Sequence, residues 1–462
     1  MDPLTYARAQ MGLSLAFHMV FASVGVALPA LMVVADICWL KTRDAEYLEL
    51  AKRLAKGTSV LFAVGAVSGT VLSFELGLLW PRFMGTFGAA IGLPFALEGF
   101  AFFTEAIFLG IYLYGRGRVS ERFHLFSGVT VAVSGALSAF LVTLVNAFMN
   151  DPAGLLDGSG VGGAPRFAPL AAMWSPSWPF QTVHVLLSCY QATAWAMVGV
   201  HAFFLLRDPR RGLHRKALAI ALPLACLTAL VQPLSGDFSA KHLAVAQPSK
   251  LAAAEALMRT TRAAPLHVGG WPDLETGEIR GALSIPGGLS FLAHGDANAV
   301  VIGLDQTPPA DRPPVLATRT AFQVMVGAGT AMAGVAALVG AFALRRRRRR
   351  AAGGAPPPWP RALLLALVAA SPLGFVALEA GWLVTEWGRQ PWIVRGYLRT
   401  VEAVTPFPYK AAPFWLFTLV YVFLGVTVAV LLAKQIVAVH RAARPGAAQG
   451  PTAGGGGGAR VD

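Results

Sequence analysis

The sequence predicts an all-α polytopic membrane protein of about nine transmembrane helices. Of its 462 residues 55% are hydrophobic and only 13% are charged, too apolar a balance for an ordinary soluble domain. Apolar runs of about 20 residues recur along the chain, the helical length that crosses a hydrocarbon core roughly 30 Å thick. These runs lack the alternation of barrel strands, and backbone groups in lipid must bond within the segment, so helices are the spanning structure.

In chain order the spans are expected near 12–40, 57–80, 94–115, 125–149, 179–206, 216–233, 319–344, 361–386 and 412–436. The connections at 41–56, 116–122, 207–216 and 345–361, with the C-terminal tail, hold most of the 38 Lys and Arg residues. Short basic connections mark the cytoplasmic side. Nine spans then put the N-terminus outside and the C-terminus in the cytoplasm. The net charge of +14 and the arginines at 345–350 are read as a topology signal abutting a span. The lipid bilayer is therefore the expected partner, and nucleic acid is not.

Met1 to Arg8 is short and runs into a full-length span, so no removable signal peptide is expected. Cys38, Cys189 and Cys226 lie in apolar spans without a CxxC pair and predict neither a disulfide framework nor a zinc site. The chain thus divides into six helices over 1–233, an outer connection at 234–318, three helices over 319–436 and a disordered cytoplasmic tail at 437–462 that ends in a glycine run. A connection as long as 234–318 is usually functional or disordered. Pro248 and Ser249 head a run of helix formers that reads as a short helix, and the later part reads as coil with short strands.

Polar residues inside the spans carry the chemistry, because charge at membrane depth costs a few kcal/mol and persists where it faces a cavity, a metal or a proton route. In the segment GWLVTEWGRQPW at 381–392, Glu386 closes a long apolar helix and Arg389 stands just beyond. His18, His184 and Met325 lie at similar depths in three spans, about 8–9 Å below the outer end at 1.5 Å per residue. A neutral imidazole can bind iron, and His with Met is an axial pair for a low-spin haem. Taken alone, each of these side chains also fits ordinary core packing. Glu98 and Glu105 are separated by two helical turns and share one face, which suggests a proton path or a metal-proximal acid pair. Glu75, Glu379, Ser134, Ser138, Thr143 and Asn146 are further polar points at membrane depth. His18, His184, Met325, Glu98 and Glu386 are all expected in the outer third of the membrane, beside the large outer connection.

An ordered set of motifs identifies the chain as similar to subunit I of the cytochrome bd family of quinol oxidases over Tyr6 to Lys434. They are Arg8 with His18, EGFAFFTE at 98–105, NAFMNDPAG at 146–154, His184, KLAAAE at 250–255, FQVMVG at 322–327, and GWLVTEWGRQPW. The outer connection resembles the short-loop, cyanide-insensitive type. The resemblance implies a bacterial inner-membrane terminal oxidase with two haem b, one low-spin and one high-spin, and one haem d, or a haem b in its place. His184 and Met325 would ligate the low-spin haem b. His18 and Glu386 would serve the two high-spin haems, with Trp382 in the same motif and Glu98 beside the oxygen-binding iron. Arg8 and Arg389 would meet propionates, as a guanidinium pairs a carboxylate in a fixed fork. Glu105 and Ser138 would belong to a proton route from the cytoplasm. Lys250 and Glu255 mark the family's quinol loop. Five residues apart on a helix, they do not form a simple ion pair: Lys250 is assigned to a quinone oxygen or a propionate, Glu255 to a quinol proton. A second polytopic subunit and a small single-span one are implied partners.

Two features depart from the family's pattern: Gln323 stands where members commonly carry Arg, and the acids at 98 and 105 are seven apart where some members have eight. The expected activity is quinol oxidation at the outer face coupled to oxygen reduction with protons from the cytoplasm, so that charge is separated without a pump. The competing classes are a haem-b electron carrier or sensor without oxygen chemistry, and a proton-coupled transporter, for which no inverted repeat is seen.

Overall fold

A computed structural model describes residues 3–157, 165–355, 357–405 and 411–442. The part of the expected disordered tail from 443 onward lies outside the described residues. Among the described residues nine helical spans are long and apolar enough to cross a membrane. They are α1 (Pro3–Thr42), α2 (Ala45–Leu79), α3 (Pro81–Gly115), α4 (Glu121–Asn150), then, after the short α5 (Pro169–Met173), α6 (Trp178–Arg207) and α7 (Gly212–Ala246). The outer connection holds α8 (Pro248–Glu255) and α9 (Gly288–His294). The last spans are α10 (Val315–Ala351), the pair α11 (Arg361–Ala370) and α12 (Leu373–Trp387), and, beyond the single turn α13 (Thr400–Ala403), α14 (Ala411–Ala442).

Local chemistry explains the starts. The Asp44 side chain accepts from the Glu46 amide at 2.9 Å to open α2, and Ser120 accepts from Phe123 to open α4. Proline occupies the first turn of α3, α6 and α8, where its missing N–H is no loss. Inside α1, α3 and α7, prolines 29, 94, 223 and 233 are accommodated as neighbouring helices permit in membrane proteins.

Several helices outrun their apolar stretch. α3 begins at Pro81 rather than 94, α2 at Ala45 rather than 57, α7 continues to Ala246 rather than ending at 233, and α14 continues to Ala442. Hydropathy falls at Gly, Ser and charged residues that a helix tolerates at its ends, so the apolar run understates the helix. The eighth span is two helices broken at Ser371 and Pro372, since proline removes a donor and clashes with the preceding turn. The outer connection shrinks to 247–314. As expected it opens on a short helix and continues in two-stranded pairs, of which Leu266–Val268 with Leu283–Ile285 is the longest.

Ion pairs tie the two ends. At one end Arg43 pairs with Glu121, Lys216 with Glu46, and Arg116 with Asp36, so the basic connections converge there. At the other, Thr405 bonds Leu79, Arg395 bonds Met149, and Arg399 pairs with Asp311. Between them lies a core of small and aliphatic side chains, among them Leu31, Trp195, Ala217, Ala221, Met332 and Leu367, contributed by α1, α6, α7, α10 and α11. Close packing of small residues is what brings membrane helices together, since lipid offers no hydrophobic drive.

Candidate functional site

The structure gives the histidines defined orientations. His18 of α1 faces α2, its Nδ1 2.9 Å from Ser68 Oγ, and a Cβ on Gly69 would lie 3.2 Å from the imidazole. Ser68 donates its one hydroxyl hydrogen to the Val64 and Gly65 carbonyls, so it accepts from Nδ1–H. That leaves Nε2 as the ring's lone-pair donor, the tautomer an iron ligand requires. His184 of α6 faces α7, its Nδ1 3.1 Å from Ser235 Oγ. Met325 of α10 packs its sulfur against Gly381 of α12, where a Cβ would come within 3.1 Å. The next residue, Trp382, packs in one apolar cluster with Met19, Val185, Leu186 and Cys189, so α12 joins the His18 and His184 helices.

Glu386 lies at the head of a hydrogen-bonded chain. Asn146 Nδ2 donates to its Oε1 at 2.9 Å, and Arg389 Nη2 donates to its Oε2. Asn150 in turn donates to the Asn146 side-chain oxygen at 2.9 Å and accepts from Lys250 Nζ. Lys250 is 3% exposed and its stem lies on Gly388, so this ammonium points into the bundle rather than to water. Burial, with Arg389 and Arg395 close by, pushes it down to about 7, against the opposing pull of Glu386. Arg389 is 5% exposed, and its Nε and Nη1 have no hydrogen-bond partner. Although the charge is paired with Glu386, donors in that state suit an acceptor carried by a bound group, since a buried donor left unsatisfied is costly.

Glu255 ends α8, also fully buried. Its carboxylate lies 3.7 Å from Arg319, and burial pushes it up to about 7, with Arg319 opposing. As expected it does not pair with Lys250. Arg319, 1% exposed in the second turn of α10, also donates to the Glu255 and Gly269 carbonyls at 2.9 and 2.8 Å. Gln323, one turn on, holds the same loop strand by accepting from the Gly269 amide. Position 323 thus holds the loop through an amide, with Arg319 a turn away gripping it through a guanidinium.

Glu98 accepts from Ser138 at 2.9 Å, and the Glu105 carboxylate lies against Gly135, so both acids of α3 face α4. The common depth expected for the polar residues does not hold for Glu98. It sits at the midpoint of α3, and Ser138 is eight residues from Asn146, about 12 Å deeper than Glu386 along α4. The expectation counted from 94, thirteen residues inside the true start at Pro81. Arg8 is exposed and makes no hydrogen bond or ion pair among the described residues. Further along the α3/α4 seam, Tyr112, His124 and Arg116 surround the buried carboxylate of Asp36, a group not anticipated from sequence.

An apolar groove of about 960 Å³ opens between α10 and α12, backed by Val324, Phe375, Val376 and Leu383 and holding Glu379.

Anchored imidazoles, a thioether and a carboxylate on separate helices, with unpaired buried donors of Arg389 beside the carboxylate, are the group types that would hold a prosthetic group bearing carboxylates. Among the described residues no three His, Cys, Asp or Glu side chains gather as a metal-ion cluster. Comparison with known proteins agrees. Residues 6–439 match the family model described as cytochrome bd terminal oxidase subunit I. A putative cytochrome bd menaquinol oxidase subunit I of Bacillus subtilis is 36% identical over 438 residues, 94% of this chain and 96% of the relative. A cytochrome bd ubiquinol oxidase subunit 1 of the same organism is 29% identical over 419 residues, 88% of this chain and 87% of the relative. The solved bd oxidase from Geobacillus thermodenitrificans superimposes with a TM-score of 0.86 at 38% identity, over 94% of this chain and 98% of that one.

Proposed function

This chain belongs to the cytochrome bd terminal oxidase subunit I family, a haem-bearing quinol oxidase subunit of the bacterial inner membrane that works with a second subunit, and from that premise we propose how its residues share the reaction. The observation that carries the reading is the set of four ligand-type groups on α1, α6, α10 and α12: His18 against Ser68, His184 against Ser235, Met325 against Gly381, and Glu386 held by Asn146.

His184 and Met325 would hold a low-spin haem b, and His18 and Glu386 a high-spin haem b and a haem d. When bound, the haems supply one-electron transfer and the iron at which oxygen is reduced to water. Ser68 fixes the tautomer of His18, and Ser68 and Ser235 aim the two imidazoles. Trp382 and its apolar neighbours exclude water between the His18 and His184 helices. Arg389 presents two unpaired donors suited to propionates. Asn146 and Asn150 pass the orientation of Glu386 on to Lys250, so Lys250 is a positioning residue of the Glu386 site.

With the N-terminus outside and the basic connections in the cytoplasm, Glu105, near the basic end, and Glu98 with Ser138 hold and hand on protons from the cytoplasm. Glu255 takes up a quinol proton on the outer side, ionised above about pH 7 and neutral below. Protons are released outside and taken up inside, which stores about 2.3 kcal/mol per charge per 100 mV without a pump. A small single-span subunit completes the assembly. The test is quinol-dependent oxygen uptake by the purified complex together with its haem content. A haem-b carrier or sensor would retain the His184 and Met325 haem yet consume no oxygen.

A further inference from the structure

The connection 247–314 carries an apolar face that its own chain leaves largely uncovered. In the antiparallel pair of Leu266–Val268 with Leu283–Ile285, Leu266 stands opposite Ile285 and Val268 opposite Leu283. Paired residues share a face and strand neighbours alternate, so these four side chains form one wall, and His267 and Ser284 take the other side. Only one end of the wall is covered, where Leu266 joins the cluster of Leu251, Leu289 and Ala293. Beyond it Ile285 is 44%, Val268 50% and Leu283 69% exposed, and Trp271, in the next strand pair, is 62% exposed. Large apolar side chains gathered on a connection outside the spans mark a contact with lipid or protein.

The neighbouring surface favours lipid. Leu274, three residues after Trp271, lines the α10/α12 groove with Leu316, Val324, Val376 and Leu383, all exposed apolar side chains of spanning helices. Leu316 lies in the first turn of α10, so the hairpin sits at the level where that helix enters the bilayer, the headgroup layer that tryptophan favours. The hairpin is also sided. Its turn carries the exposed Glu275 and Glu278, and Arg280 pairs with Asp273 at 2.8 Å. An apolar wall with a charged end suits an element lying in the interface rather than crossing it.

We infer that the hairpin over 266–285 seats its Val268, Leu283 and Ile285 wall, with the Trp271 ring, in the phospholipid leaflet on that side and leaves its charged turn in water. The connection is then held from two directions. Arg319 donates to the Gly269 carbonyl at 2.8 Å and Gln323 to the His267 carbonyl at 3.3 Å from the bundle, and the leaflet holds the wall. Phospholipid is favoured over a protein subunit because Leu274 makes the wall continuous with the apolar surface of α10 and α12.

The test uses the purified complex in phosphatidylcholine nanodiscs, with a nitroxide on Val268→Cys, Leu283→Cys or Glu275→Cys. The signal of the native Cys38, Cys189 and Cys226, measured on the identically treated parent, is subtracted. Oxygen concentrates in lipid and a nickel chelate stays in water. The ratio of oxygen to nickel accessibility is expected to be several-fold higher at 268 and 283 than at 275, with haem spectra like the parent's in all three. Brominated phosphatidylcholine should also quench the emission that Trp271→Phe removes. Ratios at 268 and 283 equal to that at 275 would place the wall in water and overturn the inference. Poor access of both probes to 268 and 283, with Trp271 unquenched, would show a protein subunit over the wall and overturn it as well.

Discussion

Asn150→Leu tests the link between the quinol loop and Glu386. Asn150 is fully buried, donates to Asn146 O and Oδ1 at 2.9 Å each, and accepts from Lys250. Leucine keeps the volume and removes all three bonds. A bond to a charged donor is worth about 1.5–3 kcal/mol and a neutral one about 1 kcal/mol. The neutral pair shares one amide group, so the loss comes to roughly 2–4 kcal/mol. Part of it can be relieved, because Lys250 is already pushed down to about 7 and can shed its proton near neutrality. Relief is harder at low pH, by about 1.4 kcal/mol per unit below 7. The loss should therefore grow as pH falls from 7 to 6. Lys250→Met in the same background removes the stranded ammonium and should return at least about 1 kcal/mol as coupling in a double-mutant cycle. The assay is unfolding free energy of the complex in mixed micelles, with haem retention followed in parallel. Strict additivity of the two substitutions, and a loss that does not change with pH, would refute the chain of contacts.

Three further outcomes are expected. Ser68→Ala frees the His18 Nδ1 and should weaken retention of its haem about 10–100-fold, the usual cost of losing a partner behind a metal-bound histidine, read by haem loss on dilution. Because Glu255 is raised to about 7, it accepts protons only when ionised; quinol oxidation should rise with pH through 7, and Glu255→Gln should flatten that limb while Lys250→Met leaves it in place. Glu98→Gln should slow oxygen reduction driven by excess reductant while leaving haem content intact, since the Glu98 carboxylate is engaged by Ser138; loss of haem would assign it to ligation instead.

The residues that sequence exposed are those whose chemistry is out of place in an apolar helix. His18, His184, Glu98, Glu105 and Glu386 stand out for that reason, and Met325 gained weight only from their company. Their partners did not stand out. Serine is inexpensive in a helix, so nothing distinguished Ser68 and Ser235 until packing set them against imidazoles. Arg319 did carry a signal, a lone arginine where an apolar span begins, and so did Asp36, a carboxylate inside the first span. The burial of α8 was illegible because KLAAAE has the composition of a solvated helix, and its partners Asn150, Arg319 and Gly388 are all distant in sequence. Helix ends failed for a common reason: hydropathy marks the lipid-facing run, whereas hydrogen bonding carries the helix past it.

The central claim is tested most directly by quinol-driven oxygen uptake of the purified complex, recorded with its reduced-minus-oxidised spectrum, for the parent and for Glu386→Ala. The parent should consume oxygen and show haem b together with the red-shifted chlorin band of haem d. The variant should lose a high-spin haem and its oxygen uptake while keeping the low-spin signal of His184 and Met325. Full activity with an intact spectrum in Glu386→Ala would contradict the account.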